Sequence, residues 1–203
     1  MFNEESFAVF TLAGLDERMA AIRHEIQPVF QTLAQDFKTR LSTELGTEYF
    51  SHIAQHRRRT IHPPDSTLVA LSRNKRGYKM EPHFQLGIAP DFVFMWLACI
   101  DQPPQKQEIA QALLDQLTLF QMLPADFYLS GDHTKNLITP LTQPAVEKML
   151  LRFRDVKKGE FQIGRIIPKA STLWQQPAAA QCYMWETYQQ LLPLYQTMIK
   201  TGK

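Results

Sequence analysis

The run FVFMWLACI at 92–100 constrains the fold more than any other stretch of the chain. Nine apolar residues in succession leave neither face of a strand for water, yet they reach only half of the roughly 20 residues that a membrane-crossing helix needs. The run is read as a strand buried on both faces, so the chain must supply flanking strands and cover above and below. Two flanking candidates stand immediately before it. TLVALS (67–72) is short and apolar, while HFQLGI (83–88) alternates, with Phe84, Leu86 and Ile88 on one face and His83, Gln85 and Gly87 on the other. The turn Ala89-Pro90-Asp91 leads into the buried run, so an antiparallel meander over about 67–100 is expected.

Helical stripes surround this meander. Leu15, Met19, Ile22, Ile26, Phe30, Leu33 and Phe37 fall at steps of three and four, and Pro28 stays in phase with them, which predicts a kink or tight joint near Gln27. A second helix is expected from Thr47 to the Pro63-Pro64 stop, with Phe50 and Ile53 inward and His52, His56 and Arg59 outward. Ile109, Leu113, Leu117 and Phe120 mark a middle helix, Val146, Met149, Leu150 and Phe153 another, and 171–200 is helical in composition despite Pro177 and Pro193. ADFYLS (125–130) and EFQIGRII (160–167) read as further strands. With no regular βαβ cadence, the fold class is α+β: a mainly antiparallel sheet packed by N-terminal, middle and C-terminal helices. With 203 residues, 44% of them apolar, one domain over 1–203 is expected.

The N-terminus MFNEESFAVF lacks the basic and apolar regions of a secretory signal, and Cys99 and Cys182 are too few for a disulfide framework. A cytoplasmic protein with reduced thiols and no membrane partner is expected. The net charge is only +2, but it is unevenly placed: residues 52–83 hold seven Lys or Arg against two acids, and the rest of the chain holds 15 against 18. Four of the six histidines share that basic segment.

Three functions fit this concentration. The first is binding of a phosphate-bearing or other anionic small molecule. Arginine forks match phosphate oxygens, and RNKRGYK sets Arg73, Lys75, Arg76 and Lys79 around a glycine turn, with Tyr78 as a stacking face or donor. GDHTK, carrying Asp132 and His133 after a strand, is a second polar cluster for the same pocket, and His52, His56, Arg57 and His83 complete the candidate set. The second is a nucleic-acid-binding module, which the acidic balance of the remaining chain makes less favourable. The third is a metal-dependent hydrolase in which His52 and His56, spaced i, i+4, share an ion. HIAQH lacks the glutamate of a zinc-protease motif and three arginines follow it, so no metal is assigned. With no GxSxG, GxxxxGK[ST] or GxGxxG motif, the sequence names no catalytic residue and no cofactor, and it leaves the oligomeric state open.

VFTLAGLDERM, HRRRTIHPP, SRNKRGYKMEPHFQ, GDHTK and LLPLY, taken in order, resemble the corresponding blocks of the YktB-like family of bacterial proteins, a domain of unknown function. The resemblance runs nearly the whole chain. It implies a compact α+β bacterial cytoplasmic protein and carries over no catalytic residue. His62 departs from its pattern, where Asn is usual before the two prolines.

Overall fold

A computed structural model describes residues 1–101 and 103–201. The strands are β1 (Phe50–Ile53), β2 (Thr67–Ser72), β3 (His83–Ile88), β4 (Phe92–Cys99), β5 (Tyr128–Ser130), β6 (Thr139–Pro140) and β7 (Phe161–Pro168). They form one sheet in the order β1-β2-β3-β4-β7-β5-β6, with each neighbouring pair antiparallel. The apolar run becomes β4, in the middle of the sheet, and the meander β2-β3-β4 stands as its periodicity predicts. The fold is α+β.

The helices are α1 (Glu4–Ala8), α2 (Leu15–Ala21), α3 (Gln27–Leu45), α4 (Lys106–Leu114), α5 (Thr118–Gln121), α6 (Gln143–Asp155) and α7 (Pro177–Lys200). A π-helical stretch, Ile22–Ile26, joins α2 to α3, and Pro28 occupies the first turn of α3, where its missing N–H costs nothing. The expected joint near Gln27 is therefore this bulge. Thr142 caps α6 by accepting from Ala145 N, and Pro144 again sits in a first turn. The middle stripe breaks into two helices, α4 and α5, rather than one.

All the large helical stripes lie on one face of the sheet. Phe30, Phe37 and Leu41 of α3, Leu150 and Phe153 of α6, and Tyr188 and Leu191 of α7 are buried with Val69, Phe84, Leu86, Met95, Leu97 and Ile163 in one core. The other face carries a smaller apolar cluster of Phe94, Trp96, Ala98 and Ile100, against which Leu68, Tyr78, Tyr128 and Ile138 pack. Segments 54–66, 73–82 and 131–138 supply its cover, and each lacks regular structure except for turns. Hence every residue of β3 is buried, including the polar side that its alternation sets apart.

One expected helix is absent. Gly46 ends α3 in the left-handed region at φ 63°, the chain reverses, and residues 50–53 pair with β2 as an edge strand instead of forming a helix over 47–62. Phe50 and Ile53 stand three apart, a spacing that suits a helix stripe. In β1 they point to opposite faces, and only Ile53 packs on the helical core.

Candidate functional site

The loop-covered face of the sheet is built from two rows of directly opposed residues. His83, Ala98, Gln162 and Ser130 form one row across β3, β4, β7 and β5, and Gln85, Trp96, Gly164 and Tyr128 form the next. Phe84-Gln85-Leu86-Gly87 and Phe161-Gln162-Ile163-Gly164 repeat one pattern on the two strands flanking β4. Each glycine receives an aromatic ring of β4: a Cβ on Gly87 would overlap the Phe94 ring, and one on Gly164 would lie 2.9 Å from Trp96 Cε3. The Phe94 and Trp96 rings stack with centroids 5.7 Å apart. Gln85 and Gln162 are buried amides on this floor, beside the buried His83 and Ser130 and the apolar Trp96 and Ala98.

Above this floor the loops converge. Residues 54–59, Tyr78, Lys79, Asp101, His133 and Thr134 line a cleft of about 510 Å³. Arg18 fastens the first loop by donating to Pro64 O at 2.9 Å and Leu12 O at 2.8 Å, and Asn136 Nδ2 donates to Asp65 O at 3.1 Å, tying the 131–138 segment to the same loop. Lys79 pairs with Asp101 at 2.8 Å, and this hydrogen bond holds the Asp101 carboxyl below its ordinary range. Four cations, Arg57, Arg58, Arg59 and Lys79, face the cleft with two carboxylates, Asp65 and Asp101. Arg57 and Arg58 are exposed, while Arg59 braces its own loop through Pro63 O at 3.2 Å.

His56 is held at φ 49° with Nε2 3.0 Å from Thr67 Oγ1, and burial, assisted by Arg59, lowers it to about 4. His83 is fully buried. Its Nδ1 lies 2.8 Å from Glu81 O and its Nε2 2.9 Å from Gln85 Nε2, and burial lowers it to about 4 as well. Both rings are neutral near pH 7, so the positive field of the cleft comes from its arginines and Lys79. Tyr78 packs edge-on to His83 at 4.9 Å and tilted to His52 at 6.0 Å. Burial raises its hydroxyl pKa.

The candidate residues thus fall into separate places. His56, Arg57, Tyr78, Lys79 and His133 line the cleft, with His83 beneath Tyr78 and Asp132 in an adjoining hollow beside Arg152 and Glu160. His52 lies on β1 with Nε2 2.9 Å from Asn74 O, so His52 and His56 do not share a helical face. Arg73 turns back to Glu81 at 3.3 Å, and Lys75 and Arg76 are exposed at the β2–β3 tip, outside the cleft lining. Asp132 accepts from Thr134 N at 2.9 Å and Thr134 Oγ1 at 2.6 Å, and the hydroxyl bond lowers its pKa.

Glu160, at the head of β7, was not marked by any local motif, yet it organises the site. Its carboxylate accepts from His133 N at 2.7 Å, from Asp101 N at 3.2 Å and from the His133 ring at Nδ1, 2.7 Å away. Atoms of Asp132, His133 and Glu160 lie within 4.8 Å of one another. The direct ring-to-carboxylate bond makes His133 and Glu160 a hydrogen-bonded dyad; an ion between two ligands at about 2.1 Å each would have to separate them. The sequence signal for Glu160 was one charged residue opening an otherwise buried strand.

A family model described as a domain of unknown function, DUF1054, matches residues 2–195. The chain belongs to this family. It is 63% identical over 199 residues to a UPF0637 protein of Enterococcus faecalis, with 98% of each chain covered. It is 44% identical over 202 residues to UPF0637 protein ABC2405 of Shouchella clausii, covering 99% of this chain and 96% of that one. A UPF0637 protein of Listeria monocytogenes is 39% identical over 203 residues, again with 98% of each covered. The DUF1054 chain is thus one of a bacterial family, as its sequence blocks imply. Among its described residues no helix is long and apolar enough to cross a membrane.

Proposed function

We propose that this protein binds a small phosphate-bearing anion, in the bacterial cytoplasm, in the cleft between the 54–59 loop and the 131–135 segment. The observation that carries this is the meeting of two polar clusters 70 or so residues apart in sequence around one opening in which cations outnumber carboxylates. Exposed Arg57 and Arg58 offer guanidinium forks for phosphate oxygens, with Lys79 beside them as a point charge. Neutral His56 and His83 add no charge, and the buried His83 has both ring nitrogens engaged by Glu81 O and Gln85 Nε2. The metal-dependent alternative loses its i, i+4 histidine pair to β1.

The test is a thermal-melt screen against inorganic phosphate, mononucleotides, sugar phosphates and a short oligonucleotide. A ligand at a hundred times its dissociation constant stabilises by about 2.7 kcal/mol, a rise of roughly 5 to 10 °C at this chain length. The rise should vanish in the Arg57→Ala, Arg58→Ala double variant and persist in Lys75→Ala, Arg76→Ala. If only the oligonucleotide shifts the melt, and its affinity falls steeply with salt, the surface is a nucleic-acid interface instead.

A further inference from the structure

Beside the basic cleft lies a second, much smaller cavity of about 20 Å³ on the sheet floor, lined by Gln85, Gln162, Ser130, Trp96 and His133. Its size is that of a single water, for which about 10–15 Å³ of such space suffices provided two to four polar partners are at hand. Those partners are present. Gln85 Oε1 and Gln162 Nε2 are both buried without a hydrogen-bond partner, although their residues are only 0% and 2% exposed. Buried polar atoms are almost always paired, so two orphans on one small cavity point to a molecule that bonds both.

The orientation of one amide is fixed by its neighbours. His83 donates from Nδ1 to Glu81 O, so its Nε2 is an acceptor and receives the Gln85 amide N–H. Gln85 Oε1 is then left as an unpaired acceptor on a residue that lines the cavity. The ring of His133 is fixed in the same manner. Glu160 accepts from its Nδ1, so in the neutral ring it is Nε2 that carries the lone pair, and His133 stands in the wall of both the small cavity and the basic cleft. Ser66 and Leu68 also border both, which makes the two spaces neighbours.

We propose that this small cavity holds a hydrolytic water, that His133 is its proton acceptor, and that the ligand of the basic cleft is a phosphate ester or anhydride cleaved there. The inference rests on the anion site proposed above. As the water oxygen bonds to phosphorus, one of its protons passes to His133 Nε2, and the Glu160 carboxylate stabilises the imidazolium through Nδ1–H. The bond from phosphorus to the leaving oxygen breaks on the opposite side, the electron pair stays on that oxygen, which takes a proton from solvent in the open cleft, and His133 returns its own proton to solvent. The products are phosphate, or a phosphate monoester, and the free alcohol or phosphate leaving group. Charge gathering on the phosphoryl oxygens faces Arg57, Arg58 and Lys79. Gln85 and Gln162 position the water, and Glu160 positions His133.

The experiment uses the full chain with p-nitrophenyl phosphate, bis-p-nitrophenyl phosphate and ATP, following nitrophenol or phosphate release. At least one probe should be hydrolysed, with the rate falling about 10²- to 10⁴-fold in His133→Ala. Gln85→Leu should lower the rate at least tenfold while leaving the melt shift with inorganic phosphate in place, a split that a merely structural glutamine would not give. His133→Asn serves the same purpose if His133→Ala does not fold. If no probe is cleaved faster than by the His133 variants, while phosphate still raises the melting temperature, the hydrolytic inference is overturned and the anion site stands. Loss of the phosphate shift in the parent protein overturns both.

Discussion

Gly164→Ala should be among the most damaging single-methyl additions to this protein. A Cβ at Gly164 would overlap the carbonyl oxygen of Met95 on the neighbouring strand and sit 2.9 Å from Trp96 Cε3, where ordinary contacts begin near 3.4 Å. Met95 O is backbone in the middle of the eight-residue β4–β7 pairing, so it cannot swing aside. The strands must part locally, breaking about two ladder hydrogen bonds that end up buried and unmade, at roughly 1–3 kcal/mol each. Loss of unfolded-state entropy on going from Gly to Ala returns only about 0.4–1 kcal/mol. The net is a loss of about 1–5 kcal/mol, or roughly 2–20 °C in melting temperature by circular dichroism. Gly87→Ala is the control: its Cβ meets only the Phe94 ring, a side chain that can rotate at a cost of about 1–3 kcal/mol. If Gly164→Ala melts within 2 °C of the parent, or Gly87→Ala is the worse of the two, the β4–β7 spacing described here is wrong.

The other expectations are independent of any ligand. Cys182 is exposed and Cys99 is fully buried with its thiol pKa pushed up, so Ellman's reagent should titrate one thiol in the native protein and two in denaturant; two fast-reacting thiols in the native protein would contradict the burial of β4. His83 titrates near 4 when folded against 6.5 in the free side chain, so as pH falls below 6.5 the unfolded chain binds a proton that the folded one does not. Stability should therefore be full above pH 6.5 and decline by about 3 kcal/mol toward pH 4 from this residue, with His56 acting in the same direction. His83→Gln should flatten that slope whatever it does to stability at pH 7, and an unchanged slope would rule His83 out as its source. Glu160→Ala strands three N–H donors and should cost about 2–4 kcal/mol in chemical denaturation, with Glu160→Gln costing less because one acceptor oxygen remains; equal losses would mean that the carboxylate is not organising the loop.

Strong periodic signals carried most of the sheet. The apolar run of β4 is readable because both of its faces are buried, the alternations of β3 and β7 because one face of each carries the apolar residues of the helical core, and β2 because turn residues bound it on each side. β1 and β6 were not legible: one is a four-residue, half-exposed edge, the other two residues long, and both are defined only by their pairing with the neighbouring strand across an irregular loop. The candidate site divides in the same way. The concentration of cations at 52–83 is a local property and visible, whereas the departure of Arg73 to Glu81 depends on how the β2–β3 turn folds back. Glu160 reaches His133 only because β7 lies beside β5, a long-range pairing that no spacing of residues encodes. The paired F-Q-x-G patterns were in plain sight, but their meaning depends on β4 lying between them.

The most direct test of the anion cleft is a backbone and histidine-ring NMR titration with inorganic phosphate. Shifts should saturate at 54–59, 78–79 and 132–134, with the His133 ring among them, while the tip at 73–76 stays still. Saturating shifts confined to the 73–76 tip, or none at millimolar phosphate, would contradict the assignment of this cleft as the functional surface.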